Sequence, residues 1–360
     1  MKIFNYEPYI TQEDKDTINN CIEIGIANNH YLNVFENSLK SFFNSEVVCC
    51  SSGTSALHLA LLAFGIGPGD DVICPVISFA ATWNTIRYVN ANPVFVDIDE
   101  NTWCIDTDLI ESRITEKTKA IICVDLYGNP CNYDKLIKIC ENNSLILICD
   151  SAQAFGSKYK NKLVGTFGDV SCFSFNLNKI LTTMGGGAVV LHKNFDKKYF
   201  IRSLLNQNKK GSEYDYAGVG YNYRLNSINA SVGVSQLSRF KNILQKKQNI
   251  FSWYVNELQN YVSFQKINET CVSNNWFVIV KFKSISEKNN VKKTLISNAI
   301  EAKNVYIPAT ELNWIKNTNF YSYCPNAINF YETSLSLPAG IKLTYDDIKK
   351  VCDLIKQTIV

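Results

Sequence analysis

Leu145-Ile146-Leu147-Ile148-Cys149-Asp150 is a run of five apolar residues closed by an acid. It shows no polar alternation, so it reads as a strand covered on both faces, as strands of parallel sheets under helical layers are. Asp150 then stands at the strand's carboxyl end, the edge where open parallel sheets bind ligands. Working outward, residues 47–50, 72–74, 94–96 and 120–124 are short β-branched runs of the same kind, each separated from the next by a plausible amphipathic helix. That repetition predicts an α/β fold with a mostly parallel central sheet flanked by helices. Residues 170–175 and 188–191 follow with less helix between them and are expected to complete the same sheet.

After about Leu237 the texture changes. A long polar helix carrying Lys246 and Lys247, a strand over 276–282, a helix near 291–302 and a short strand at 305–307 predict a small C-terminal α/β domain. The expected division is a large domain, residues 1–240 with an N-terminal arm and helix, and a small one, residues 241–360. The 360 residues, 46% hydrophobic, suffice for both cores. Thr344 caps a closing helix whose first turn holds Asp346 and Asp347, with Ile348, Val351, Cys352 and Ile355 on one face.

A net charge of +3 excludes a strongly basic binding protein. The lysine pairs Lys209-Lys210 and Lys246-Lys247 are too short for a nucleic-acid footprint and read as solvated faces. Thirteen cysteines sit mostly in apolar runs with no C-x-x-C spacing, so no metal site is expected, and reduced core thiols of a cytoplasmic protein are. No signal-like core or membrane-length apolar stretch is visible, so neither secretion nor a membrane partner is expected.

The chemistry centres on Phe173-Ser174-Phe175-Asn176-Leu177-Asn178-Lys179-Ile180-Leu181-Thr182-Thr183-Met184-Gly185-Gly186-Gly187, a strand that runs to a lysine and a loop of small residues. A lysine amine there can hold a carbonyl cofactor as a Schiff base. Most lysines are solvated surface charges, so that reading requires an anion site and an acid elsewhere. Cys50-Ser51-Ser52-Gly53-Thr54-Ser55 follows the first strand and opens the helix 56–63, which places backbone N–H groups and hydroxyls at one point, as a phosphate seat does. Plain N-capping is the simpler account of the same residues. Gly65-Ile66-Gly67-Pro68-Gly69 follows a helix and precedes a strand, the wrong order for a dinucleotide fingerprint, and reads as a helix end and turn. Asp150 either caps the next helix or keeps a pyridine nitrogen protonated, and Gln153, three residues on, is a candidate to hydrogen-bond a ring hydroxyl. Phe79, at the start of the helix after the second strand, is either a core residue or a platform for an aromatic ring. His58 and His192 read as structural, and His30 falls in a candidate substrate loop.

The succession Ser52-Gly53-Thr54-Ser55-Ala56-Leu57-His58-Leu59, Pro93-Val94-Phe95-Val96-Asp97, Leu126-Tyr127-Gly128, Asp150-Ser151-Ala152-Gln153-Ala154, Gly165-Thr166-Phe167-Gly168-Asp169, Phe173-Ser174-Phe175 to Lys179, and Gly220-Tyr221-Asn222-Tyr223-Arg224-Leu225 resembles the DegT/DnrJ-type sugar aminotransferases. The motifs span roughly two thirds of the chain in order. The resemblance implies the fold type I architecture of pyridoxal 5'-phosphate enzymes, with Lys179 as the Schiff-base lysine. It places Asp150 on the pyridine nitrogen, Gln153 near the ring hydroxyl and Phe79 on the ring. Gly53, Thr54, Ser55 and Ser174 would surround the phosphate. It further implies a homodimer with shared active sites, Asn222 reaching the phosphate of the neighbouring subunit. A minority of relatives carry histidine at the lysine position and dehydrate, so Lys179 points to transamination, with L-glutamate as donor. The acceptor is expected to be a nucleotide-linked keto-6-deoxysugar destined for surface polysaccharide or amino sugars. The triple glycine at 185–187, the lack of histidine around Val305-Tyr306-Ile307-Pro308-Ala309-Thr310-Glu311 and the Gly25-Ile26-Ala27-Asn28-Asn29-His30-Tyr31 segment depart from common patterns of the acceptor site. A smaller phosphorylated ketone as acceptor, or a cofactor-binding sensor without turnover, are the competing readings.

Overall fold

Apolar runs without alternation become the seven strands of a central sheet in the computed structural model, which describes residues 2–211, 214–320 and 322–359. They are β1 (Glu46–Cys50), β2 (Asp71–Pro75), β3 (Asn92–Val96), β4 (Thr118–Val124), β5 (Ile146–Asp150), β6 (Val170–Ser174) and β7 (Gly187–Leu191). Their spatial order is β1-β7-β6-β5-β4-β2-β3. Only β7 runs against its neighbours. The strand cores are buried because helices cover them, among them α2 (His30–Phe43), α3 (Gly53–Ala63), α4 (Ala81–Tyr88) and α5 (Tyr133–Asn143), while α1 (Gln12–Glu23) packs against the later helix Ser227–Ser238. The Gly65–Gly69 stretch is the expected helix end and turn, Gly65 taking φ 74° and the Gly67 N–H donating to Asp70.

One expected helix is missing. Between β3 and β4 the chain makes two single 3-10 turns, Thr107–Leu109 and Glu111–Arg113. Acidic side chains there satisfy the backbone locally: Asp99 accepts from the N–H groups of Asn101 and Thr102, and Asp106 from that of Asp108. Such bonds compete with helix formation.

The register brings the site together. β4 and β5 pair Val124 with Asp150, and β5 and β6 pair Asp150 with Cys172. Gly187 opens β7 between the last residues of β1 and β6, paired with Cys50 on one side and Ser174 on the other. A Cβ at Gly187 would lie 2.4 Å from the Ser52 carbonyl, so only glycine lets these ends converge.

Beyond α6 (Lys197–Leu204), α7 (Ser227–Ser238) and α8 (Phe240–Leu258), a second antiparallel sheet forms from β8 (Ser263–Phe264), β9 (Val278–Lys281), β10 (Lys303–Asn304) and β11 (Ser334–Leu337), in the order β8-β9-β11-β10. The helix expected near 291–302 runs instead over Ile285–Ser297, starting where Ser284 accepts the Glu287 N–H. The strand expected at 305–307 is the two-residue β10 just before it. The closing helix, Tyr345–Ile359, buries Ile348, Val351, Cys352 and Ile355 against Tyr254, Leu258 and Val291. At roughly 1.5–3 kcal/mol per fully buried aliphatic side chain, that face holds the helix in place.

Lys247 departs from the solvated face expected for the Lys246-Lys247 pair. It is 2% exposed, and its Nζ donates to the Ala339 carbonyl at 2.6 Å. Lys246 remains outside, near Tyr9. All thirteen cysteines are free thiols and all but Cys271 are buried. No helix among the described residues is long and apolar enough to cross a membrane.

Candidate active site

The sheet edge at the carboxyl ends of β5 and β6 opens into a cavity of about 250 Å³. Gly53, Thr54, Phe79, Asp150, Gln153, Ser174 and Lys179 all line it. Seven of the nine residues singled out in the sequence thus meet at one place.

Its floor is the start of α3. Ser52 and Ser55 form a reciprocal cap: Ser52 Oγ accepts from the Ser55 N–H at 3.0 Å, and Ser55 Oγ accepts from the Ser52 N–H at 2.9 Å. The first intrahelical bond reaches Ser52 from Ala56 at 3.0 Å, which leaves the N–H groups of Gly53 and Thr54 free to take an anion. Capping and anion binding, alternatives in the sequence, are divided between neighbouring residues. Ser55 stands apart from the other residues expected around the phosphate: it is 3% exposed, its hydroxyl is engaged in the cap, and it does not line the cavity. Gly53 packs so closely that a Cβ there would approach Ser174 Cβ to 2.7 Å, so the backbone comes right up to the seat.

Asp150 closes β5, and no helix follows for it to cap. Its carboxylate accepts from Thr82 Oγ1 at 2.7 Å and from the Ala152 N–H at 3.3 Å. Thr82 shares its hydroxyl with Ser78, four residues back in the bend before α4, at 2.7 Å. Burial raises the Asp150 carboxyl above its ordinary value, opposed by the Thr82 hydrogen bond and by Lys179. Gln153 is held by the Tyr127 N–H, which donates to its Oε1 at 2.8 Å. Phe79 lies two residues before α4 and is 58% exposed, a free aromatic face and not a core residue.

Lys179 stands five residues beyond β6, on a loop and not on the strand end itself. The loop is pinned from several sides: Tyr6 of the N-terminal arm donates to the carbonyls of Leu177 and Lys179, and Trp276 Nε1 donates to that of Asn178 at 2.6 Å. Burial draws the Lys179 amine down to about 7, with Asp150 pulling the other way. Near neutrality a large share of it is unprotonated, as a nucleophile and proton carrier needs.

Asn222 is exposed in an extended segment beside Asn206, outside this cavity. His58 is buried against Tyr223 and His192 is half-buried, neither lining the cavity.

Sequence reasoning missed Thr82, Tyr127, Trp276 and Tyr306. The Ser78-x-x-x-Thr82 spacing was a usable signal for the first. Tyr127 takes φ 56°, a left-handed conformation costly for a bulky residue, and persists because Gln153 and Tyr306 hold it. Its ring stacks on Tyr306 with centroids 5.4 Å apart. Tyr306 comes from far along the chain, which no local pattern reveals.

An amine, a buried carboxylate and a free helix N-terminus around one cavity suit a ligand with an aldehyde, a ring nitrogen and a phosphate. The profile of the DegT/DnrJ/EryC1/StrS aminotransferase family matches residues 8–356. A GDP-perosamine synthase of Escherichia coli O157:H7 is 34% identical over 361 residues, 98% of this chain and 97% of that protein. The PMP-form of Spr1654 from Streptococcus pneumoniae superposes with a TM-score of 0.96 at 30% identity, covering 99% of this chain and 98% of that one. PseC of Helicobacter pylori, an aminotransferase involved in the biosynthesis of pseudoaminic acid, gives a TM-score of 0.95 at 26% identity over 100% of this chain and 99% of its own.

Proposed function

We propose, from the premise that the chain belongs to the DegT/DnrJ/EryC1/StrS aminotransferase family, that this pyridoxal phosphate-dependent aminotransferase moves an amino group from L-glutamate to a nucleotide-linked keto-6-deoxysugar. The observation that carries the reading is the Lys179 amine, drawn down to about 7, in one cavity with the Asp150 carboxylate and the open end of α3. The amino-sugar names of the E. coli and H. pylori relatives support a sugar acceptor.

The Gly53 and Thr54 N–H groups and the Ser174 hydroxyl hold the cofactor phosphate. Phe79 offers its exposed face to the ring, Gln153 bonds the ring hydroxyl, and Asp150 keeps a proton on the ring nitrogen. Bound there, pyridoxal phosphate supplies an aldehyde that captures amines and a ring that takes up electron density released at the substrate carbon. Lys179 Nζ would accept the proton released at the donor's reacting carbon and give it up again within the same cavity, and the reverse order would serve the acceptor. Residues 241–360 act as a small domain that brings Tyr306 to the cavity, with residues 1–240 as the large one. The active unit is a homodimer in which the outward-facing Asn222 reaches the partner's phosphate seat.

The test is the visible absorption of the purified protein with pyridoxal phosphate, before and after excess L-glutamate, followed by keto-sugar nucleotides. A cofactor band that bleaches with glutamate and returns with one of those acceptors is expected. A band that no amino donor bleaches would overturn the proposal in favour of a sensor, and return of the band only with a small phosphorylated ketone would replace the acceptor.

A further inference from the structure

Lys179 Nζ has no hydrogen-bond partner and no ion pair among the described residues. What it faces is a ring: the Trp276 indole centroid lies 3.8 Å away. We propose that Trp276 is a positioning residue for the reaction, its indole face being the seat of the Lys179 ammonium whenever that amine carries a proton and is not covalently engaged. The proposal rests on Lys179 being the reacting amine.

The indole is fixed to the loop it serves. Trp276 is 1% exposed and its Nε1–H donates to the Asn178 carbonyl, one residue before the lysine, at 2.6 Å. Its own N–H donates to Asn274 Oδ1, and Asn274 Nδ2 donates to the carbonyls of Gln153 and Phe155. The same side chain network thus holds the ring and the turn that carries Gln153. On the other side Tyr6 packs edge-on against Phe277 while its hydroxyl holds Leu177 and Lys179. Ring and lysine backbone are therefore fixed relative to each other, and a cation at Nζ meets the negative face of the indole.

The seat matters because Lys179 must accept a proton and then give it up. Burial disfavours the ammonium, and the charged group acting on it is Asp150, farther than 4 Å and engaged with Thr82. The Tyr306 hydroxyl shares the cavity without a hydrogen-bond partner among the described residues. A ring face stabilises a cation without accepting its proton, unlike a carboxylate. It keeps the proton on Nζ, aimed into the cavity.

The test is the protonation midpoint of Lys179 in cofactor-free protein, read by competitive acetylation across pH with mass-spectrometric mapping. Tryptophans bearing one to four ring fluorines, placed at position 276, keep shape while weakening the face. The midpoint is expected to fall stepwise, by about one pH unit at full fluorination, a tenfold change in the protonated-to-neutral ratio. Tyr6→Phe, which loosens the loop but leaves the ring, should leave the midpoint in place. In cofactor-loaded protein the fluorinated series should lower kcat while the KM for L-glutamate holds. A midpoint that does not move with fluorine number in folded protein overturns the proposal. Failure of the aminotransferase reading would show separately, as a missing cofactor band with the labelling response intact.

Discussion

Two lysines in this chain are pushed to the same place on the pH scale and put to different ends. Lys179 and Lys247 are both drawn down by burial to about 7. Lys179 faces a cavity it shares with Asp150, an aromatic platform and a helix N-terminus. Lys247 is sealed among the contacts of α8, 2% exposed, with its amine on the Ala339 carbonyl. A perturbed amine is therefore not by itself a functional signal; what it faces decides. Lys247 joins α8 to the strap at residues 338–339, where Tyr254 also donates to the Pro338 carbonyl and the Ala339 N–H reaches Asn5.

The sharpest way to break the comparison is to exchange the fates of the two lysines. Lys179→Ala is expected to abolish the cofactor band and to cut turnover by about 10⁴-fold or more, since covalent capture and proton transfer fail together. Lys247→Met should leave the band and the rate near those of the parent. Steady-state rates and spectra of the two variants check both, and a band in the Lys179 variant or a dead Lys247 variant would reverse the assignment. The free amine at Lys179 also predicts a rate that rises with pH through about 7, because only its unprotonated form takes a proton.

Asp150→Asn comes next. It keeps the shape of the site and removes the charge that would hold a proton on the ring nitrogen, so turnover should fall roughly 10²- to 10³-fold with the fold intact. An unchanged rate would reduce Asp150 to a structural acceptor for Thr82.

For Lys247 the expected effect is on stability. Its folded value of about 7 lies below its ordinary 10.5, so between those limits the unfolded chain binds a proton that the folded chain lacks. Stability therefore rises with pH across that window, and the penalty is complete below about 7. Lys247→Met should raise stability by roughly 3 kcal/mol at pH 6 and lose that advantage as pH approaches about 10.5. Denaturant unfolding at several pH values reads it. A pH-independent difference would mean that Lys247 keeps an ordinary ionisation.

The same contrast explains what the sequence disclosed. The strand β5 (Ile146–Asp150) and the cap at Ser52 announce themselves because local rules govern them: an unbroken apolar run, a hydroxyl ahead of a helix. Lys179, Asp150 and Phe79 were legible for the same reason, each standing at a strand end or a loop just beyond one. Lys247 was misread because a lysine on a polar helix carries no local mark of burial; only packing against residues 338–339 buries it. Trp276 reaches the lysine loop and Tyr306 the cavity from roughly 100 to 130 residues beyond the lysine, through contacts that no local pattern marks. The β3–β4 connection was misread because Asp99 and Asp106 bind the backbone in turns that a hydrophobic pattern does not register.

Thr82→Val is the smallest of the expected effects and the most discriminating. Thr82 is fully buried, and its hydroxyl donates to Asp150 at 2.7 Å while meeting Ser78 at the same distance. Valine fills nearly the same volume, so packing changes little, but the carboxylate loses a hydrogen bond that favours its ionised form. Such a bond to a charged group is worth about 1.5 kcal/mol, close to one pKa unit. The Asp150 carboxyl should move further up and the acid limb of the pH–rate profile should shift upward by about one unit, which is about a tenfold loss of turnover at any pH on that limb. A uniform loss at all pH values would mean that Thr82 only orients the carboxylate, whereas a shifted limb shows that it sets the charge Lys179 works beside.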